Sequence, residues 1–389
     1  MKFLRDFNFK DKRVLVRADF NVPLGNDNQV DEREDWRLKA VLPTINYLLK
    51  QKAKIILLSH LGRPEGKIKE ELRLNPIAKR LEELLNQKIL KLDDCIGLEV
   101  ERSISKMKEG QIVLLENLRF HAEEKENSPD FTKQLAKLGD FYVNDAFGTS
   151  HRSHASIIGL PKHLPSCAGL LLEKEINNLS KVLNKLEHPL LVIIGGVKIS
   201  TKIKFIEIFL KKADSLILGG ALANTVIRAK GFAIGRSIIE EEMIDQVKKL
   251  ELTNNKLHLP VDAVASIDVS GDKDSRIAPI GKTNEDEMIL DIGPDSENLF
   301  KEIIFQAKMI IWNGPMGIFE VDKFANGSRE IAKAVAQSSA FSVVGGGDTI
   351  VLLEQLNLLD QIDHISTGGG AMLKFLAGEK LPGIEALKV

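Results

Sequence analysis

Short apolar runs, rich in valine, isoleucine and leucine and lacking polar alternation, recur at 13–20, 54–60, 111–116 and 140–145. A strand exposed on one face alternates. A run that is apolar throughout is expected where helices cover both faces, so these runs predict strands of a parallel sheet. Between them, 36–51 and 75–85 repeat their apolar residues at helical spacing with charges opposite, which predicts amphipathic helices. The same rhythm resumes at 189–194, 215–218, 309–312 and 341–344. Helix alternating with strand predicts an α/β architecture in two similar halves, without any short tandem repeat. Segment 170–186 has the charge and leucine pattern of one helix and separates the halves, and a helical connector holds domains at a semi-rigid separation.

Composition narrows the partners. Among 389 residues, 54 Lys and Arg stand against 55 Asp and Glu, a formal net charge of −1. That balance gives no electrostatic reason to expect nucleic acid or an anionic membrane. Cys95 and Cys167 are far apart and form no C-x-x-C pair, which argues against a disulfide framework or a cysteine-based zinc site and for a reducing compartment. No apolar run approaches the roughly 18 residues needed to cross a bilayer, and the start has no secretory pattern. The expectation is a soluble cytoplasmic protein.

In the first half, basic groups collect beyond strand ends. Arg17, Asp19 and Asn21 occupy alternate positions, so extended backbone puts them on one side and Ala18 and Phe20 on the other. Arg37 opens a helical pattern, His60 and Arg63 follow one strand, Arg119 follows another, and His151, Arg152 and His154 follow a fourth. Open α/β sheets bind ligands at that edge, and the planar guanidinium fork suits carboxylate and phosphate. An anion is the expected guest. A metal at His151 and His154 would lack a third ligand.

The second half clusters glycine instead, at 195–196, 219–220, 314, 345–347 and 368–370, mostly after strand-like runs. Glycine allows close backbone approach, and the amides opening a following helix attract phosphate. Two phosphate fingerprints fail: a P-loop ending at 281–283 would need glycine where Arg276 stands, and the dinucleotide pattern would need it at Ile350 or Leu373. A nucleotide would be held by another design. Lys198 and Lys202, four apart, are expected on one face at the start of a helix, where an anion would offset their repulsion. Asp348 and Thr349 follow the glycine triplet, which makes Asp348 a magnesium-ligand candidate or, alternatively, a helix N-cap.

Eight ordered motifs join these residues: VRADFNVP at 16–23, SHLGRP at 59–64, LENLRF at 115–120, NDAFGT at 144–149, HRSH at 151–154, WNGP at 312–315, GGGDT at 345–349 and STGGG at 366–370. With them the chain resembles the phosphoglycerate kinase family over essentially its whole length. The resemblance implies two Rossmann-like domains joined by a helical hinge. It implies a first domain at 1–169 completed by a returning segment 373–389, a hinge at 170–186 and a second domain at 187–372. The implied reaction is reversible phosphoryl transfer between 1,3-bisphosphoglycerate and MgADP, giving 3-phosphoglycerate and MgATP, by a monomer whose hinge closes.

By that resemblance Arg17, Asp19, Asn21, Arg37, His60, Arg63, Arg119 and Arg152 bind the phosphoglycerate. Lys198, Lys202, Gly196, Gly220, Asn313 and 346–349 (Gly346, Gly347, Asp348, Thr349) contact the nucleotide, with Glu320 on the ribose and Asp348 on Mg2+. Arg37, Lys198, Gly347 and Gly370 attend the phosphoryl group in transit, and His364 with Glu173 or Glu175 couples closure to binding. The chain departs from the family pattern at Val197 and Thr201, where alanine and an acidic residue are usual. That departure bears on packing and charge beside the nucleotide, and so on ADP affinity rather than reaction type. The competing readings are a non-catalytic protein that keeps both ligand sites and a kinase for another small acid or sugar.

Overall fold

Runs without polar alternation bury both faces only inside a layer covered on two sides, and in the computed structural model they form two such layers. The structure describes residues 1–388 apart from 26, 33, 185, 186, 251 and 253. The first sheet contains β1 (Arg13–Arg17), β2 (Lys54–Leu58), β3 (Ile89–Lys91), β4 (Ile112–Leu114), β5 (Phe141–Asn144) and β6 (Ser166–Ala168). Their order is β3-β4-β2-β1-β5-β6, all parallel, with Val14 beside Ile55 on one side and Phe141 on the other. β1 is followed by a strand on one side and β5 by a strand on the other, so the chain reverses its winding between β1 and β5. A crevice opens at such a switch point, beyond the carboxyl ends of the strands.

The second parallel sheet repeats the plan. Its strands are β7 (Leu190–Ile194), β8 (Ser215–Leu218), β9 (Leu257–His258), then β13 (Met309–Asn313), β14 (Phe341–Gly345) and β15 (His364–Ser366), in the order β15-β14-β13-β7-β8-β9. Here the switch lies between β7 and β13, whose residues pair from Leu190 with Met309 to Ile194 with Asn313. A third, antiparallel sheet, β10 (Asp262–Ser266), β11 (Ser275–Pro279) and β12 (Met288–Ile292), is ordered β11-β10-β12 and is absent from the sequence-based expectation. Its middle strand carries only small and short residues, and β11 is mostly exposed, so neither gives a strong apolar run.

Helices cover both faces of the parallel sheets because their apolar residues fall on one stripe. Trp36–Lys50 buries Leu38, Val41, Ile45 and Leu48, and Asn75–Leu85 buries Ile77, Ala78 and Leu81. Both match the expected spans to within a residue. The expected strand 13–20 is shorter, ending at Arg17, yet Ala18 and Phe20 remain fully buried while Asp19 and Asn21 turn to the polar side. Each parallel sheet nucleates its own core, one around Val14, Val16, Ile55 and Leu57, the other around Ile193, Ile310, Trp312 and Val344.

The chain divides into two compact units, Met1–Ser180 with Gly378–Val389, and Lys181–Ala377. Helix Leu170–Asn184 carries the chain from the first to the second. Its start is fixed in the first unit, where Leu170 N–H donates to Thr44 Oγ1 (2.9 Å) and Leu172 N–H to Asp145 Oδ1 (3.1 Å). The return begins at 378 rather than 373, because helix Gly369–Leu376 still buries Met372, Leu373 and Leu376 in the second unit. The returning segment forms helix Pro382–Glu385, and Gly383 N–H donates to Ser150 O at 2.8 Å. Lys185 and Leu186 of the expected connector, and Val389, lie outside the described residues. Among the described residues no helix is long and apolar enough to cross a membrane.

Candidate active site

At the first switch point β1 ends on Arg17, whose side chain is fully buried although charged. It persists because its donors are engaged: Nε donates to Ser156 Oγ at 2.9 Å, one Nη donates to Ala18 O, and the other lies 3.2 Å from His60 Nδ1. A guanidinium only donates, so His60 Nδ1 accepts and its ring proton sits on Nε2. Ser156 Oγ in turn donates to buried Glu124 Oε1 at 2.6 Å, and Ser156 N–H donates to Oε2 at 2.9 Å. Glu124 is thus the anionic support behind Arg17. Sequence reasoning missed both residues, since Glu124 lies in a charged stretch that reads as a solvated helix face and Ser156 lies in an apolar segment.

Around Arg17 the other expected residues assemble. Arg37 donates to Asp19 Oδ2 (3.2 Å) and to Asn21 O (3.0 Å), and Asn21 Oδ1 accepts from Gly62 N–H at 2.7 Å. Arg119 donates to Gly62 O at 2.8 Å, yet its Nε is buried with no hydrogen-bond partner. Arg152 and Arg63 are exposed, on the loops after β5 and β2.

Positive charge here is mutually unfavourable. Burial, then Arg17 and Arg152, lowers Arg119 to about 10. Burial, then Arg17, Arg119 and Arg37, holds His60 well below the usual imidazole range. His154 falls to about 3 through burial, Arg119, Arg17 and Arg152, with Nδ1 3.8 Å from Glu124 Oε1. Neutral histidines, clustered guanidinium groups and an orphaned buried donor are the features of a site complementary to a multiply charged anion. These groups interact with one another, and Arg63 alone of the expected set is joined to none of them by the contacts described.

In the second unit the switch between β7 and β13 is bridged by backbone. Gly195 N–H donates to Asn313 O, Gly196 N–H to Pro315 O, and Gly220 N–H to Met316 O. Gly220 has φ +65°, and a Cβ there would lie 2.7 Å from Gly196 N, so only glycine lets these loops approach. Gly346, at φ +110°, precedes helix Gly347–Gln355, and helix Gly369–Leu376 begins alongside, where a Cβ on Gly369 would meet Gly346 Cα at 2.9 Å. Asn313 Nδ2 donates to Gly345 O at 2.6 Å and Gly314 N–H to Thr349 Oγ1 at 2.8 Å. Two helix N-termini and their free first-turn amides therefore meet at one sheet edge. Gly347 and Gly370 are exposed there with no heavy atom near a would-be Cβ, which leaves room for a ligand.

The two lysines do not share a helix face. After β7 the chain makes a short 3-10 turn, Ile199–Thr201, and the helix begins only at Ile203, beyond both lysines. Lys198 is exposed in extended backbone before the turn, with its carbonyl capped by Thr201 Oγ1 at 2.9 Å. Lys202 folds back into the sheet edge, donating to Gly195 O at 2.6 Å and Asn313 O at 3.4 Å. Burial lowers it to about 8, against a smaller opposing pull from Asp348. One ammonium is fixed against backbone carbonyls and the other is exposed.

Beside these groups opens a cavity of about 250 Å³. Gly196, Gly220, Glu320 and Asp348 reach it, as does exposed Val197, while Ile227, Ile289, Leu290 and Met316 give it apolar walls. The walls were not foreseen, because they come from elements distant in sequence, including β12 of the unpredicted sheet. Asp348 lies in the first turn of its helix but makes no capping bond, since Gly346 holds the cap position. It is exposed at the cavity with its carboxylate open, a donor set suited to Mg2+ shared with nucleotide phosphates. His364 and Glu175 are buried, and Glu173 pairs with Arg5 at 2.7 Å.

Fold and site together define a two-unit α/β protein that offers one polyanion a nest of guanidinium groups and a second, partly apolar ligand a bed of backbone amides. Comparison with known proteins makes the class specific. The profile of the phosphoglycerate kinase family matches residues 4–379, and the chain belongs to that family. It is 50% identical over 390 residues to the phosphoglycerate kinase of Dictyoglomus turgidum, covering 99% of this chain and 98% of that one. It is 47% identical over 388 residues to that of Moorella thermoacetica, covering 99% and 98%. Among solved structures, the phosphoglycerate kinase of Pyrococcus horikoshii is similar with a TM-score of 0.89 at 37% identity, covering 100% of this chain and 98% of that one. The phosphoglycerate kinase of Coxiella burnetii gives 0.81 at 39% identity, with coverage of 100% and 98%.

Proposed function

We propose that the chain transfers a phosphoryl group reversibly between 1,3-bisphosphoglycerate and ADP, yielding 3-phosphoglycerate and ATP. The observation that carries this reading is that each unit gathers, at its own switch point, groups suited to a different polyanion. Arg17, Asp19, Asn21, Arg37, His60, Arg63, Arg119 and Arg152 hold the phosphoglycerate. Lys202, Asn313, Gly196, Gly220 and 346–349 hold the nucleotide phosphates, with Glu320 on the ribose.

In the direction of ATP consumption a carboxylate oxygen of 3-phosphoglycerate attacks the terminal phosphorus, forming one P–O bond as the bond to the departing ADP breaks. The attacking carboxylate is ionised near neutral pH, so the site needs no general base. What it must supply is alignment and compensation of charge spreading over the transferring group. Exposed Lys198 and partly buried Arg37, with the amides of Gly347 and Gly370, take that role. Asp348 would hold Mg2+, which neutralises phosphate charge when bound. Because the two substrates occupy separate units, turnover requires closure about the helix that joins them, and closure also keeps water from the reacting phosphoryl group. The chain acts as a cytoplasmic monomer, independent of nucleic acid and membrane.

A coupled assay supplying 3-phosphoglycerate and MgATP tests the reading. Turnover that depends on both substrates and on magnesium is expected. Folded protein that binds both ligands yet yields no product would overturn it in favour of a binding protein, and turnover with a different acceptor alone would overturn the substrate assignment.

A further inference from the structure

Away from both switch points, three side chains of different donor type converge in the first unit. Asp94 and Cys95 lie in the loop after β3, and His121 precedes the short helix Ala122–Glu126. Their carboxylate oxygen, sulfur and imidazole nitrogen all lie within 4.8 Å of one another. We infer that Asp94, Cys95 and His121 form a binding site for a borderline-soft divalent cation of the zinc type. The inference stands independently of the proposed reaction.

The surroundings favour a cation. His121 Nε2 lies 2.7 Å from Asp94 Oδ1, which also accepts from the backbone N–H of Cys95 at 2.6 Å, so the carboxylate is already fixed beside the imidazole and beside the residue that bears the sulfur. The loop itself is anchored where Glu116 N–H donates to Asp94 O at 3.3 Å. Cys95 is fully buried, so its sulfur faces the carboxylate and the ring away from bulk solvent. A divalent cation entering there replaces the thiol proton: the S–H bond breaks, the proton leaves to solvent, a sulfur–metal bond forms, and no redox change occurs.

Sulfur, nitrogen and oxygen donors together suit zinc better than magnesium, which takes oxygen ligands. Zinc–ligand lengths of about 2.0 to 2.3 Å put tetrahedral ligands roughly 3.3 to 3.8 Å apart, so an ion would part His121 Nε2 and Asp94 Oδ1 from 2.7 Å and hold the sulfur within the 4.8 Å that now bounds the cluster. The exposure of Asp94 leaves a fourth position for water. Spacing could not have revealed the site, since Asp94 and His121 are 27 positions apart. His121 follows the turn bearing Arg119, so an ion there would tie that turn to the loop after β3.

Cobalt(II) titrated into nucleotide-free protein is the test, with magnesium and phosphoglycerate absent. About one ion per chain, a sulfur-to-cobalt charge-transfer band in the near ultraviolet and release of about one proton are expected, with the band bleached by added zinc. Cys95→Ser should abolish the band, and His121→Ala, which keeps the thiol, should weaken binding roughly 10- to 100-fold at unchanged circular dichroism. Absence of the band, or a band that survives both substitutions, would overturn the site. Should Cys95→Ser not fold, the His121→Ala titration decides alone.

Discussion

The Lys202 ammonium donates to two carbonyls at the edge of the second sheet, and burial lowers its pKa from 10.5 to about 8. Because the folded-state value lies below the unfolded one, the charged form opposes folding in full below pH 8, and that cost fades as pH rises toward 10.5. In the proposed site a nucleotide phosphate would reverse the balance, since it would bind the charged form. Nucleotide affinity should therefore be flat below pH 8 and fall above it, by at most about tenfold per unit. Calorimetric titrations at several pH values should show that fall in the wild type and its absence in Lys202→Met, whose affinity should be low throughout. In the first unit the comparable support is Glu124, which reaches Arg17 through the Ser156 hydroxyl. Glu124→Gln keeps the shape and removes the charge, and should weaken phosphoglycerate binding roughly 10- to 100-fold with nucleotide affinity unchanged, since bonds to charged groups contribute about 1.5 to 3 kcal/mol. A loss of both affinities together would mark Glu124 as merely structural.

At the scale of elements, helix Leu170–Asn184 starts on Asp145, whose Oδ1 accepts from Leu172 N–H while Oδ2 is buried without a partner. Burial raises this carboxyl from 3.8 to about 7, against the Thr44 hydroxyl and the helix N–H groups of Leu172 and Leu171. The folded state thus holds its proton more tightly, and the stability this contributes is present at low pH and lost as pH rises through 7. Asp145→Asn mimics the protonated form. Its melting temperature should exceed the wild type's at pH 8, with the gap closing as pH falls below about 7 and vanishing near 4. Such a carboxyl is invisible in sequence, where Asp145 sits among glycine-motif residues with nothing to signal burial. What sequence does carry is the layer pattern. The runs 54–60 and 309–312 read as covered strands, and the helices at 36–50 and 75–85 follow directly from their stripes. The antiparallel sheet escaped because alanine and serine in β10 and exposed residues in β11 leave no period to detect. The site divides similarly. Arginines after successive strands were legible because strand ends and guanidinium chemistry are both local. The Lys198–Lys202 spacing misled, because Ile199–Thr201 adopts a 3-10 turn that a four-residue interval cannot distinguish from a helix.

On the scale of the whole molecule, the proposed mechanism makes a cation from each unit act on the same migrating phosphoryl group. Arg37 belongs to the first unit and Lys198 to the second. If both compensate the same transition-state charge, neither is effective unless the other is in place, so their removals must not multiply. Removing one electrostatic donor from such a site costs about 10²- to 10³-fold in kcat. Arg37→Ala and Lys198→Ala should each fall in that range in the coupled assay. The double variant should lose far less than the product of the two, a coupling of about 1 kcal/mol or more in a double-mutant cycle. Substrate KM should change less than kcat, since the compensated charge develops in the transition state rather than on binding. Solution scattering separates this from a failure to close: both single variants should contract as the wild type does when 3-phosphoglycerate and MgATP are supplied together. Strict multiplicativity with normal contraction would mean that the two cations serve separate steps, and the shared-charge mechanism would have to be abandoned.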